Sequence, residues 1–386
     1  MITLQRPTLS RLFSSFLRLG LTSFGGPAMI AYIRKMAVDQ MGWLDDETFR
    51  SGVGLCQVIP GATAMQMAAF VGLKARGVAG AAVTFIGFGL PAFLMMMLLS
   101  ALYRSAYSLP VVSSFFGGLA AIIVAIVANA ALSFARSYLQ HWVDLGIAAL
   151  AAGMLITGIS PFMVIILAAC LGLWLSRGEP IPSGQAYPER EPRAAYYLLI
   201  ISSAAAICFV MLYALDRSLF QLAATMFRID LFAFGGGLAS LPLMLDEVVH
   251  VRSWLDYQTF MSGIALGQVT PGPIVITAAF VGYLVRGPVG GIVATLAIFL
   301  PSFLMLIAAV PYYDRLSRSA RFNRAVHGIL CSFVGLLASV AYSFAHHMPG
   351  DPAHVIMAAL AFVALYSGID ILWVILAGAV VSALLF

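Results

Sequence analysis

Gly54-Leu55-Cys56-Gln57-Val58-Ile59-Pro60-Gly61, with Ala68-Ala69-Phe70-Val71-Gly72 close behind, is written a second time as Gly267-Gln268-Val269-Thr270-Pro271-Gly272-Pro273 and Ala278-Ala279-Phe280-Val281-Gly282. Each copy sets a polar Gln and a Pro-Gly break inside an otherwise apolar segment. Proline removes a backbone donor and glycine loosens a helix. Where water is scarce, the backbone groups freed by such a break need partners. A chain that keeps the break twice predicts two broken or re-entrant helices around a common ligand site.

The surroundings fit a membrane. Of 386 residues, 62% are hydrophobic and 10% charged, and the mean hydropathy is +0.98. A soluble domain carries about a quarter charged residues. The apolar runs repeatedly reach the roughly 20 residues that cross a bilayer as a helix, and they are continuous, unlike the short alternating segments of a barrel. The fold class expected is an all-α polytopic membrane protein. The net charge of +5 fits the Lys and Arg excess that orients any inner-membrane protein, and it is weak support for an anionic ligand. Cys56, Cys170, Cys208 and Cys331 are scattered, against both a disulfide framework and a thiolate metal site.

The repeat extends far beyond the two breaks. Phe24-Gly25-Gly26 returns as Phe234-Gly235-Gly236, and Arg18 as Arg228, at an offset of 210. Trp43-Leu44-Asp45 returns as Trp254-Leu255-Asp256 at 211, as do Gln57, Pro60 and Gly61. The register is 210 again for Arg76-Gly77, Gly80, Pro91 and Phe93-Leu94. Two homologous repeats follow, 1–176 and 218–386. Between them, 177–193 holds four prolines and six charged residues, a loop composition, and a span near 194–215 completes a 177–217 linker. The basic residues Lys74 and Arg76 precede a span in the first half, whereas Arg315, Arg318, Arg321 and Arg324 follow the matching span in the second. If basic loops are cytoplasmic, the repeats are inverted and the extra span supplies the inversion.

A helix broken within the membrane points unpartnered N–H and C=O groups into the gap, and the N-terminal end carries about +0.5 of an elementary charge. Gly25, Gly26, Pro27, Pro60, Gly61, Gly235, Gly236, Pro271, Gly272 and Pro273 could form an anion cradle of this kind. Gln57 and Gln268 could donate amides, and Thr63, Thr270 and Thr277 hydroxyls. The competing reading is close helix packing by glycine and kinking by proline. Arg18 and Arg228 stand six residues before Phe24 and Phe234. An arginine below the interface marks an ion path or an ion pair, or else snorkels to the headgroups. Asp230 lies close enough to Arg228 to neutralise part of its charge, while Arg18 has no acidic neighbour. Asp45 and Asp256 read as helix caps, Asp370 as a hairpin tip and His327 as structural. No zinc-protease, phosphate-loop or nucleophile-triad motif is present, so no cofactor and no enzymatic activity are expected.

These motifs, in order and doubled, resemble the chromate ion transporter family, whose long-chain members fuse two homologous halves. The resemblance covers nearly the whole chain. It implies a secondary carrier that exports chromate across the bacterial inner membrane, driven by the membrane potential or a proton gradient, and so gives chromate resistance. Sulfate, another tetrahedral dianion, is the natural competitor. The alternatives are a sulfate or other oxyanion carrier and an anion channel on the same fold. Carried over by motif, the substrate-binding positions are Arg18, Phe24, Gly25, Gly26, Pro27, Gln57, Pro60 and Gly61, then Arg228, Phe234, Gly235, Gly236, Gln268, Pro271, Gly272 and Pro273. The first half departs from a full Pro-Gly-Pro by having Ala62. The partners expected are chromate or sulfate, a coupled proton and the lipid bilayer, with no nucleic acid and with monomer and homodimer both open.

Overall fold

In the computed structural model, residues 7–24, 28–106, 110–175 and 194–385 are described. Gly25, Gly26, Pro27 and the 177–193 loop lie outside them. All regular structure among the described residues is helical. The first half comprises α1 (Leu9–Thr22), α2 (Ala28–Arg34) running into a π-helical turn (Lys35–Gln40), α3 (Asp46–Val58), α4 (Thr63–Ala106), α5 (Pro110–Tyr138), α6 (Trp142–Ile156) and α7 (Pro161–Leu175). After α8 (Ala194–Leu215) the order restarts with α9 (Arg217–Phe232), α10 (Ser240–Leu245) running into a π-helical turn (Asp246–Val251), α11 (Tyr257–Val269) and α12 (Thr277–Ala309). It closes with short α13 (Tyr313–Arg318), then α14 (Ala320–His347), α15 (Pro352–Tyr366) and α16 (Ile371–Leu385).

Five helical stretches are long and apolar enough to cross a membrane: 63–106, 115–138, 195–215, 274–312 and 320–347. Large apolar side chains such as Trp142, Trp174, Leu199, Leu360 and Trp373 stand exposed on α6, α7, α8, α15 and α16, a surface suited to lipid. The chain is a multi-pass membrane protein.

The repeat seen in the sequence is a repeat of backbone. Asp45 and Asp256 each cap the next helix, with Oδ1 accepting from the N–H of Thr48 and Thr259 at 2.7 Å. Gly61 and Gly272 turn at φ +119° and +116°, a region that favours glycine. α4 folds sharply at Arg76-Gly77, and α12 does the same at Arg286-Gly287, with Gly77 and Gly287 both at φ +66°. A side chain at Gly52 would strike the Phe70 ring, and one at Gly263 the Phe280 ring. Gly52 and Phe70 lie equally far along the chain from Gly61, so α3 and the first arm of α4 run side by side in opposite directions. The expected broken segments are therefore helical hairpins, with the Pro-Gly turn at the tip.

The two halves exchange elements. α5 packs against α14, α15 and α16, while α14 packs against α5, α6 and α7. α4 and α12 meet between them, flanked by α1 and α9. The core is thus shared, as expected of two halves that each cover the other's apolar face.

An inverted arrangement would put the two equivalent bends on opposite sides of the membrane. With the four native cysteines replaced by serine, Arg76→Cys and Arg286→Cys are expected to react with a membrane-impermeant maleimide from opposite faces. Labelling of both from one face would make the repeats parallel.

Candidate functional site

The two hairpin tips meet the other half rather than open space. The N–H of Gly61 donates to the Ala233 carbonyl at 2.8 Å, and the N–H of Gly272 donates to the Ser23 carbonyl at 3.0 Å. Ser23 and Ala233 are equivalent residues, each following the last turn of the first helix of its half. Each break therefore satisfies an orphan carbonyl of the opposite repeat. Pro60, Gly61, Ala62, Pro271, Gly272 and Pro273 are all buried. Gly236 lies against Thr63, and Gly235 against Phe134 and Leu330. Phe24 and Phe234 are partly buried. The fold thus brings the described Phe-Gly-Gly and Pro-Gly motifs together, with the Gly61 and Gly272 N–H groups already engaged. Gln57 is exposed and Gln268 partly buried. Thr270 and Thr277 donate their hydroxyls to the backbone of their own helices.

Sequence reasoning missed the polar network behind the first tip. Gln66, fully buried, donates to the Pro60 carbonyl at 2.6 Å. Ser302 Oγ accepts from the N–H of Ala62 at 2.9 Å and donates to Asp230 Oδ2 at 2.6 Å. The N–H of Ser302 donates to the same carboxylate oxygen at 2.9 Å. Asp230 is 0% exposed and its Oδ1 has no hydrogen-bond partner. It does not neutralise Arg228, as the sequence suggested. Residues two apart point to different sides of a helix, and Arg228 pairs instead with Glu247. The first half has Gly20 and Ala92 at the positions of Asp230 and Ser302, so this acid has no twin.

A cavity of about 570 Å³ opens between α1 and the α2–π segment. α1 makes it by its periodicity. Leu12, Phe16 and Gly20 are buried, packing that face against α4, while Ser14, Ser15, Arg18 and Thr22 turn to the cavity. Tyr32, Lys35, Met36 and Gln40 form the facing wall. Arg18 and Lys35 bring two positive charges, and among the described residues no carboxylate lines the space. The nearby Arg34 is taken by Asp39 and Asp46, at 3.2 and 2.6 Å. Among the described residues neither Arg18 nor Lys35 forms an ion pair. Two cations, hydroxyls and an amide can hold a compact dianion by charge-assisted bonds. The cavity ends at Thr22, next to the Ser23 carbonyl that receives Gly272. Of the residues singled out from sequence, Arg18 is the one in this lining. Lys35 and Tyr32 gave no signal, because neither falls in a repeated motif.

Asp144, His327 and Cys331 each bring one ligand atom within 4.8 Å of the others. His327 Nε2 lies 3.0 Å from Asp144 Oδ1 and 3.5 Å from Cys331 Sγ, and that thiol also reaches the Tyr138 carbonyl. The cluster joins α6 to α14, and its polar atoms are already used in that latch. His327, read as structural, has this cross-half role.

Comparison with known proteins agrees with this architecture. The sequence profile of the family described as chromate transporter matches residues 10–173 and 220–383. An uncharacterised transporter of Methanocaldococcus jannaschii is 40% identical over 381 residues, covering 98% of this chain and 95% of that protein. A chromate transport protein of Cupriavidus metallidurans is 30% identical over 336 residues, 86% of this chain and 81% of its own length. One of Pseudomonas aeruginosa is 28% identical over 358 residues, 87% and 80% of the two chains. No solved structure matches the chain.

Ser302 bridges a buried carboxyl and a hairpin tip, so its loss strands two buried groups. Ser302→Ala is expected to destabilise the chain by about 1–3 kcal/mol, read as a lower melting temperature in detergent. An unchanged melting temperature would mean that the bridge holds nothing.

Proposed function

The chain belongs to the chromate transporter family, and from that premise we propose that it is a secondary carrier exporting chromate across the cell's inner membrane. Chromate resistance is the consequence for the cell. The observation that carries this reading is the Arg18–Lys35 cavity, which offers two positive charges and no carboxylate to a ligand of charge −2. Sulfate has the same shape and charge and competes for the site. The potential assists export, since a negative charge leaving a negative-inside cell gains about 2.3 kcal/mol per charge per 100 mV.

A proton is the coupled ion, and Asp230 is the group that carries it. A buried carboxylate without a cation costs several kcal/mol to keep ionised. Among the described residues Asp230 has only Ser302 as partner. Through Ser302 its protonation state reaches Ala62 at the tip of the first hairpin.

Chromate uptake into inverted membrane vesicles tests both parts. The unaltered chain should show saturable uptake that sulfate inhibits. Arg18→Gln and Lys35→Gln should each weaken apparent affinity roughly tenfold, as expected for losing one charged partner. Undiminished uptake by Arg18→Gln would remove the cavity from the transport path, and currents that follow voltage without saturation would point to a channel.

Asp230→Asn should keep potential-driven uptake while losing the increment produced by an imposed pH gradient. Retention of that increment would exclude Asp230 as the proton carrier.

A further inference from the structure

The second half contains the counterpart of the cationic cavity, and there the register can be fixed bond by bond. The π-helical turns Lys35–Gln40 and Asp246–Val251 are equivalent. The N–H of Met41 donates to the Met36 carbonyl at 3.0 Å, and that of Arg252 donates to the Glu247 carbonyl at 3.0 Å. The N–H of Trp43 reaches the Ala37 carbonyl at 2.8 Å, and that of Trp254 reaches the Val248 carbonyl at 2.8 Å. Gly42 and Ser253 then share a positive φ, +58° and +51°. Met36 and Glu247 therefore occupy one position in two copies of the same frame, each opposite the arginine of its own first helix.

The exchange of chemistry around that position is systematic. Ser14, Thr22 and Gln40, which give the first cavity its polar lining, correspond to Ala224, Phe232 and Val251. In the same register Met36 gives way to Glu247, Lys35 to Asp246 and Met41 to Arg252, so the second frame carries its own carboxylates and takes its second cation from a different position. Glu247 is almost fully buried, pairs with Arg228, and has Arg252 Nε 3.6 Å from its second oxygen. Arg228 also lies over the Phe162 ring, 4.4 Å from its centre. Two arginines thus flank a fixed carboxylate in the second half, where Arg18 and Lys35 flank open space in the first.

We propose that Glu247 is a resident anion, whose carboxylate takes in the second half the place that a bound tetrahedral oxyanion takes beside Arg18 in the first. The chain then has one substrate site per two repeats, and the second copy of the site is a structural lock. This rests on the cavity reading given under the proposed function and extends it to stoichiometry. A diffusible dianion can leave, whereas a tethered carboxylate cannot. The tether keeps Arg228 and Arg252 paired through every state of the cycle, and the buried partner, Glu247, would be costly to keep ionised without them.

Equilibrium binding of radiolabelled sulfate to the purified full-length chain in nanodiscs, with a thermal melt in parallel, tests this. The unaltered chain should bind one sulfate. Glu247→Met, which installs the first-half residue, should bind two, or should melt low without anion and be restored by millimolar sulfate. Met36→Glu, the reverse exchange, should weaken sulfate binding at the first site by about tenfold or more and keep the melting temperature. One site in Glu247→Met with no anion-dependent melting overturns the proposal, as does undisturbed binding in Met36→Glu. If the unaltered chain binds neither sulfate nor chromate, the cavity reading itself fails. The anion dependence of the Glu247→Met melt still reports on the second half separately.

Discussion

Two backbone hydrogen bonds hold the architecture together, Gly61 N–H to Ala233 C=O and Gly272 N–H to Ser23 C=O. Their importance follows from the solvent. A helix that stops inside a bilayer leaves carbonyls that water cannot reach, and each unsatisfied group costs several kcal/mol. Neither half can cap its own first helix at this place, because its own hairpin tip is turned toward the other half. The repeats therefore complete each other, and the exchanged packing of α5 and α14 follows the same pattern at the level of whole helices. Fusing the two halves in one chain keeps both donors and both acceptors at high local concentration.

The symmetry of the backbone is not carried into the side chains. At the first tip, Gln66, Ser302 and Asp230 build a buried polar network. The equivalent positions around the second tip are Ile276, Ala92 and Gly20. The arginine of the first helix lines a cavity in one half and forms an ion pair in the other. A shared fold thus holds two chemically different environments, which is what a carrier needs if one copy is to bind and the other to brace. The asymmetry is also economical in charge. Arg18 and Lys35 face an open cavity, while Arg228 and Arg252 are both met by Glu247.

Much of this was legible in the sequence because it rests on local rules. The Pro-Gly breaks, the Asp45 and Asp256 caps, the doubled order of elements and the membrane class all follow from residue type and spacing. Arg18 stood out for lacking an acidic neighbour. The rest depends on contacts between residues far apart in the chain. That the tip N–H groups bond to the opposite half requires knowing that the halves interlock. Asp230 looked like a neighbour of Arg228 because it is two residues away, yet the helix turns it toward Ser302, 72 residues on. Lys35 and Glu247 sit in π-helical turns, where the extra residue per turn breaks the usual spacing rules. A periodicity argument has no means of aiming them.

On the proposed function, the same two bonds explain how anion and proton could be coupled. The oxyanion binds against α1, and α1 ends one residue beyond the cavity at the carbonyl that holds Gly272. The proton binds Asp230 on α9, which acts through Ser302 on Ala62, the neighbour of Gly61. Each ligand is thus adjacent to one of the two symmetric bonds and remote from the other. Coupling requires only that the two bonds cannot be strained independently, since a ligand shifts a conformational equilibrium by its difference in affinity for the two states. The interlocked halves supply that condition: Gly272 opens the chain into α12, and the second arm of that same helix, beyond the Arg286-Gly287 bend, carries Ser302.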